Sequence, residues 1–198
     1  MFRFDPLTRD CRSDFPAYHH QGERLLSSIR YIVLHSTEGQ TAQSAASRFM
    51  QPGSGGSTNL VVDAFACYRC LGDNVIPQAA APLNVHGFHI EQAGYASWSR
   101  SRWLANGRTV KRAAYKAALR CRWYHIPARV LTVEQLVKDF GQTFTDAAGV
   151  DHFQAGPLNG GIVTHATVSE AFGQSDHTDP GDSYPVDVFL GYVEGFLK

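Results

Sequence analysis

Two short apolar runs, each closed by a histidine, constrain this chain more than any other feature. "YIVLH" sets Tyr31, Ile32, Val33 and Leu34 ahead of His35, and "GIVTH" leads a second such run to His165. Runs of this length suit strands buried on both faces, as in the middle of a sheet covered by helices. Ligands gather where the strands of an open sheet finish. Two strand-end histidines far apart in sequence can therefore meet.

The segments around these runs alternate between strand and helix patterns. Thr41 caps a helix whose apolar face is Ala42, Ala45, Ala46, Phe49 and Met50, and the loop "QPGSGGS" ends it. "TNLVVDAFACYRCL" predicts two strands turning near Asp63 and Ala64, and "VHGFHIEQAG" predicts a third ending at Glu91. Val110, Ala113, Ala114, Ala117, Ala118 and Cys121 fall on one helical face, closed by Pro127. Thr132 and Gln135 form a capping box before Val133, Leu136, Val137, Phe140 and Phe144, which predicts a second amphipathic helix. Pro185 opens a last helix carrying Val186, Phe189, Leu190, Val193 and Phe196. Residues 1–28 are polar and turn-rich and read as an N-terminal arm. The alternation predicts one α/β domain over residues 29–198.

Composition narrows the function classes. The chain has 198 residues, enough for a sizeable core, with 18 basic and 18 acidic side chains and no formal net charge. A nucleic-acid binder carries a basic excess or stripe. The nearest candidate, "VKRAAYKAALRCRWYHIPAR", reads as the solvated face of a helix. No apolar run approaches membrane-spanning length, and the start "MFRFDPLTRDCRSDFP" lacks the pattern of a secretion signal. Neither nucleic acid nor membrane is expected as a partner. Cys67 and Cys70 form a C-x-x-C, but no second close pair completes a structural zinc site and no helix follows to make a redox motif, so they read as buried thiols.

A catalytic zinc takes three protein ligands and keeps a fourth position open. His35 and His165 supply two. The loop "SDHTDPG" offers Asp176, His177 and Asp179 for the third, and the Pro180-Gly181 turn behind Asp179 favours that residue. His177 then stands beside the ion, able to donate a hydrogen bond to a developing oxyanion. Glu91 closes the "FHIE" strand, where a carboxylate can manage protons on an attacking water. His89 lies two residues earlier and so on the same side of that strand. It reads as a substrate contact or a structural residue.

These pieces carry a family resemblance. "IVLHST", "FHIEQAGYASW", "LTVEQL" and "GIVTHATVSEAFGQSDHTDPG" resemble the zinc-dependent N-acetylmuramoyl-L-alanine amidases of the type-2 amidase and peptidoglycan-recognition-protein superfamily, above all bacteriophage endolysin amidase domains. The resemblance implies a single domain with a central mixed β-sheet flanked by helices, and one zinc ion held by His35, His165 and Asp179. It implies catalytic roles for Glu91 on the water and for His177 where many members have a lysine. The implied substrate is bacterial peptidoglycan, cut by a monomer between N-acetylmuramic acid and L-alanine. The implied location is the host cytoplasm until release to the cell wall. Substrate contacts are expected at Asn59, His86, His89, Tyr95 and Trp98. Asn59 stands where the family often has a histidine and Thr58 where some members have a catalytic tyrosine, which shifts the proton work to Glu91; Gln78 stands near a common substrate-contact histidine, for which His86 is the candidate substitute.

Overall fold

The computed structural model describes residues 11–198. Its centre is a five-stranded mixed sheet in the order β3-β2-β4-β1-β7. The strands are β1 (Tyr31–Ser36), β2 (Leu60–Val62), β3 (Cys67–Arg69), β4 (Gly87–Gln92) and β7 (Gly161–Thr164). β1 runs parallel to both β4 and β7, β2 runs parallel to β4, and β3 pairs antiparallel at the edge. A separate antiparallel hairpin, β5 (Gly141–Thr145) with β6 (Asp151–Ala155), stands apart from the sheet.

The first apolar run becomes the interior strand β1 and the second the edge strand β7; both are buried because both faces of the sheet are covered. Side chains alternate along a strand, so Ile32 and Leu34 enter one core while Tyr31 and Val33 enter another. The first core is closed by α3 (Gly107–Tyr124) and α6 (Val186–Leu197), through Ala113, Ala117, Phe189 and Val193. The second is closed by α4 (Val133–Phe140) and α5 (His165–Phe172), through Leu136, Phe140 and Val168. α1 (Ala42–Phe49) packs against Val61 and Tyr68 in a smaller cluster, and α2 (Arg100–Ala105) seats Trp103 in the first core.

Local chemistry sets the helix ends as expected at Thr41, which accepts from Ser44 N, and at Thr132, whose capping box with Gln135 is complete. The second amphipathic helix stops earlier than its apolar period suggests. Gly141 takes φ 119°, and Phe144 leaves the helix to become an exposed residue of β5. Met50 likewise falls outside α1, as its C-cap.

Residues 12–24 run along β3 and the loop after it, with Arg12, Ala17, Gln21 and Arg24 donating backbone N–H groups to Cys67, Cys70, Ile76 and Asn74. Cys11 is disulfide-bonded to Cys67, which corrects the reading of Cys67 as a thiol; Cys70 and Cys121 are free and buried. Among the described residues no helix is long and apolar enough to cross a membrane.

Candidate metal centre

Parallel pairing brings the carboxyl-terminal ends of β4, β1 and β7 side by side. His35 on β1 stands directly opposite Glu91 on β4. His165 follows the last residue of β7 and is the first residue of α5, a helix absent from the sequence expectations, whose N-cap Thr164 accepts from Thr167 N. The Asp179 loop is tied back to this junction by Ala166 N donating to the Asp179 carbonyl at 2.9 Å. Gly181 holds φ 92°, and a Cβ there would strike the carbonyl of Ala96. Only glycine lets the loop turn this tightly against its neighbour.

His35, His165 and Asp179 converge and are all buried. The Nδ1 atoms of the two histidines lie 3.1 Å apart. Asp179 Oδ2 lies 3.2 Å from His35 Nδ1, and Oδ1 lies 3.1 Å from His165 Nδ1. Three ligands bonded at about 2.0–2.1 Å in a tetrahedral array stand roughly 3.3–3.4 Å from one another. The spacing and the two-imidazole, one-carboxylate donor set both fit a single divalent ion. Burial pushes the Asp179 carboxyl up, but hydrogen bonds and charge from His165 and His35 outweigh it and hold the group well below the carboxylate range. Burial holds His165 below its ordinary value, with the hydrogen bond to Asp179 only partly opposing it. The loop's other candidate, Asp176, is exposed.

Glu91, His177, Glu38, Ser57 and Gln78 line the same cavity of about 340 Å³ as the three donors. Glu91 Oε2 is buried without a hydrogen-bond partner. Burial first, then the nearby Asp179 and Glu38, raises its carboxyl well above the usual value. A carboxyl with an unpartnered oxygen, on the wall of the cavity that the three donors line, is poised to handle a proton. His177 is 60% exposed, stacks on His165 with ring centroids 4.3 Å apart, and sets Nδ1 3.4 Å from Asp179 Oδ1. Glu38, two residues beyond β1, was not singled out from sequence. It accepts from Ser36 Oγ and Ala96 N and adds a second carboxylate to the cavity wall.

The expected substrate contacts fare differently. Asn59 is fully buried; its Nδ2 donates to the Gly72 carbonyl and its Oδ1 accepts from His89 N, so it secures backbone and does not line the cavity of the three donors. His89 is fully buried beneath His35, with Nδ1 3.0 Å from His35 Nε2, and it does not line the cavity of the three donors. Burial holds it well below its ordinary value, helped by charge from His35, Arg24 and His165. His86 precedes β4 at the far end of the strand, roughly 16 Å of extended chain from Glu91, with Nδ1 on the Ser28 carbonyl. Tyr95 and Trp98 pack on each other with centroids 5.6 Å apart, and Trp98 packs on Trp103 at 5.0 Å. Neither lines the cavity of the metal cluster.

No protein-family model matches the sequence, and no curated protein sequence matches it. Solved structures do match the fold. The hydrolase AmiA of Staphylococcus aureus, solved with its ligand, superposes with a TM-score of 0.68 at 16% identity, over 96% of this chain and 83% of that one. A mutant endolysin from Bacillus subtilis gives 0.57 at 15%, over 94% and 98%. The N-acetylmuramoyl-L-alanine amidase LysC from Clostridium intestinale gives 0.54 at 13%, over 94% and 99%. The chain thus has the fold of hydrolases that include endolysins and amidases. The resemblance read from its motifs points to the same group.

Proposed function

We propose that this chain is a zinc-dependent N-acetylmuramoyl-L-alanine amidase that lyses bacterial cell walls as a phage endolysin does. The observation that carries the reading is one cavity that combines three correctly spaced donors with a partnerless buried carboxylate. The shared fold with amidase and endolysin structures supports it.

His35, His165 and Asp179 would hold the zinc. When bound, the ion supplies Lewis acidity toward a carbonyl oxygen and makes water easier to deprotonate near neutral pH. Glu91 accepts a proton from the attacking water and returns it to the departing L-alanine amine, so its charge is restored at the end of each cycle. Its buried, raised carboxyl is suited to both directions of transfer. His177 stands at the cavity mouth, where an imidazole N–H can stabilise negative charge growing on the scissile carbonyl oxygen. Ser36 N donates to Asp179 Oδ2 at 3.3 Å, helping to keep that carboxylate turned toward the two histidines.

Mass spectrometry of digested wall tests the reading. Intact glycan strands with free stems that begin in L-alanine are expected. Glu91→Gln keeps zinc and lowers turnover on the order of 10²–10⁴-fold. Cuts within the stem would replace the amidase with a zinc peptidase, and zinc-loaded protein that binds wall without releasing fragments would make it a binding module.

A further inference from the structure

We propose that His89 is a positioning residue for the metal centre: its Nδ1 accepts a hydrogen bond from His35 Nε2–H and so fixes the tautomer and ring angle with which His35 presents Nδ1 to the ion. This rests on the zinc reading above and adds a residue to it.

The geometry leaves one consistent assignment. His35 Nδ1 points at His165 Nδ1 and Asp179, at 3.1 and 3.2 Å. A nitrogen that binds a cation carries no proton, so in neutral His35 the proton sits on Nε2. The atom facing Nε2 is His89 Nδ1, at 3.0 Å, and it must therefore accept. Metal-bound histidines generally give their second N–H to a carboxylate, a backbone carbonyl or water. Here another imidazole takes that place, and the proton of His89 falls on Nε2.

Three features hold His89 for this purpose. Its backbone N–H donates to Asn59 Oδ1 at 3.0 Å, and its backbone carbonyl accepts from Thr58 Oγ1 at 3.1 Å. Asn59 is itself anchored to the Gly72 carbonyl at 3.1 Å. The ring also needs the empty space at Gly87, because a Cβ there would lie 2.6 Å from His89 Nε2. A leucine or phenylalanine at position 89 would fill the core with less polar burden. His89 Nε2 is buried without a protein partner, and a buried polar group of this kind calls for a role that offsets its desolvation cost.

The test is zinc affinity of the full chain, measured by competition with a coloured chelator, for wild type, His89→Leu and His89→Asn. Asparagine can place an amide oxygen where Nδ1 stood; leucine offers no acceptor. Affinity is expected to fall about 10–100-fold in His89→Leu and to stay within about threefold of wild type in His89→Asn. Circular dichroism before each titration confirms folded protein. Wild-type affinity in both variants overturns the proposal, and so does an equal loss in both, which would mean that ring volume matters rather than the acceptor. Wild type that binds no zinc overturns the metal reading itself, an outcome distinct from either of those.

Discussion

Asp73→Ala isolates one buried ion pair and its worth. Asp73, in the loop after β3, accepts two hydrogen bonds from Arg120 on α3, at 3.2 and 3.3 Å, and one from Tyr124 Oη at 2.6 Å. The Arg120 side chain is 2% exposed and that of Asp73 11%. Removing the carboxylate leaves a guanidinium in the interior, for which losses of about 3–5 kcal/mol are typical. Arg120 keeps its place over the Phe88 ring at 4.5 Å and the Trp123 ring at 5.0 Å, which puts the expected loss at the low end, about 3 kcal/mol. With a urea slope on the order of 2 kcal/mol per molar, the unfolding midpoint should drop by roughly 1.5 M with an unchanged slope. Adding Arg120→Met removes the stranded charge and should recover part of that loss. Zinc affinity of the folded variant should be unaltered, because Asp73 touches none of the donors. A midpoint shift below about 0.3 M, or a double variant as unstable as the sum of the singles, would refute the reasoning.

The same carboxylate predicts an acid limb. Burial pushes Asp73 up, but Arg120 and Tyr124 outweigh it and leave the folded group below its ordinary value. Its stabilisation is therefore complete above the unfolded value of about 4 and fades as pH falls through the folded one; wild type and Asp73→Ala should converge in stability at the acid end of a urea series and separate above it. Zinc at about a hundredfold its dissociation constant should stabilise the chain by roughly 2.7 kcal/mol, reversibly with a chelator, and an unmoved thermal midpoint would count against the donor cluster as a metal site. Thr132→Ala removes the α4 capping box and should cost about 1 kcal/mol in urea unfolding; no change would show that the tertiary packing of Leu136 and Phe140 alone holds that helix.

The legible parts of the fold were those decided locally. The apolar runs ending at His35 and His165, the Thr41 and Thr132 caps, and the break at Pro185 each state their role within a few residues. The donors could be picked out because a strand end and a Pro-Gly turn are both local signals. What escaped depended on distant partners. The pairing of Cys11 with Cys67 needs the chain to lie along β3. Alternation placed His89 on the side of Glu91, but not its depth, which follows from β4 standing between β1 and β2. Phe144 keeps the helical period after Phe140, and only the left-handed turn at Gly141 sends it into a strand instead. The run "GQTFTDAAGVDHFQA" carries no strand signal that was read from sequence, because its side chains meet little of the core; its ladder is held by backbone pairing from Gly141 with Ala155 to Thr145 with Asp151.

That hairpin leaves and re-enters the domain at almost one point, where Gly156 N donates to the Phe140 carbonyl at 3.0 Å. The β5–β6 ribbon is therefore a detachable loop in engineering terms. Residues 141–155 can be exchanged for a short turn or for a foreign peptide without rerouting any strand that carries a donor. Such a graft needs a cover for Phe140, whose ring meets Phe153 of the ribbon with centroids 5.9 Å apart.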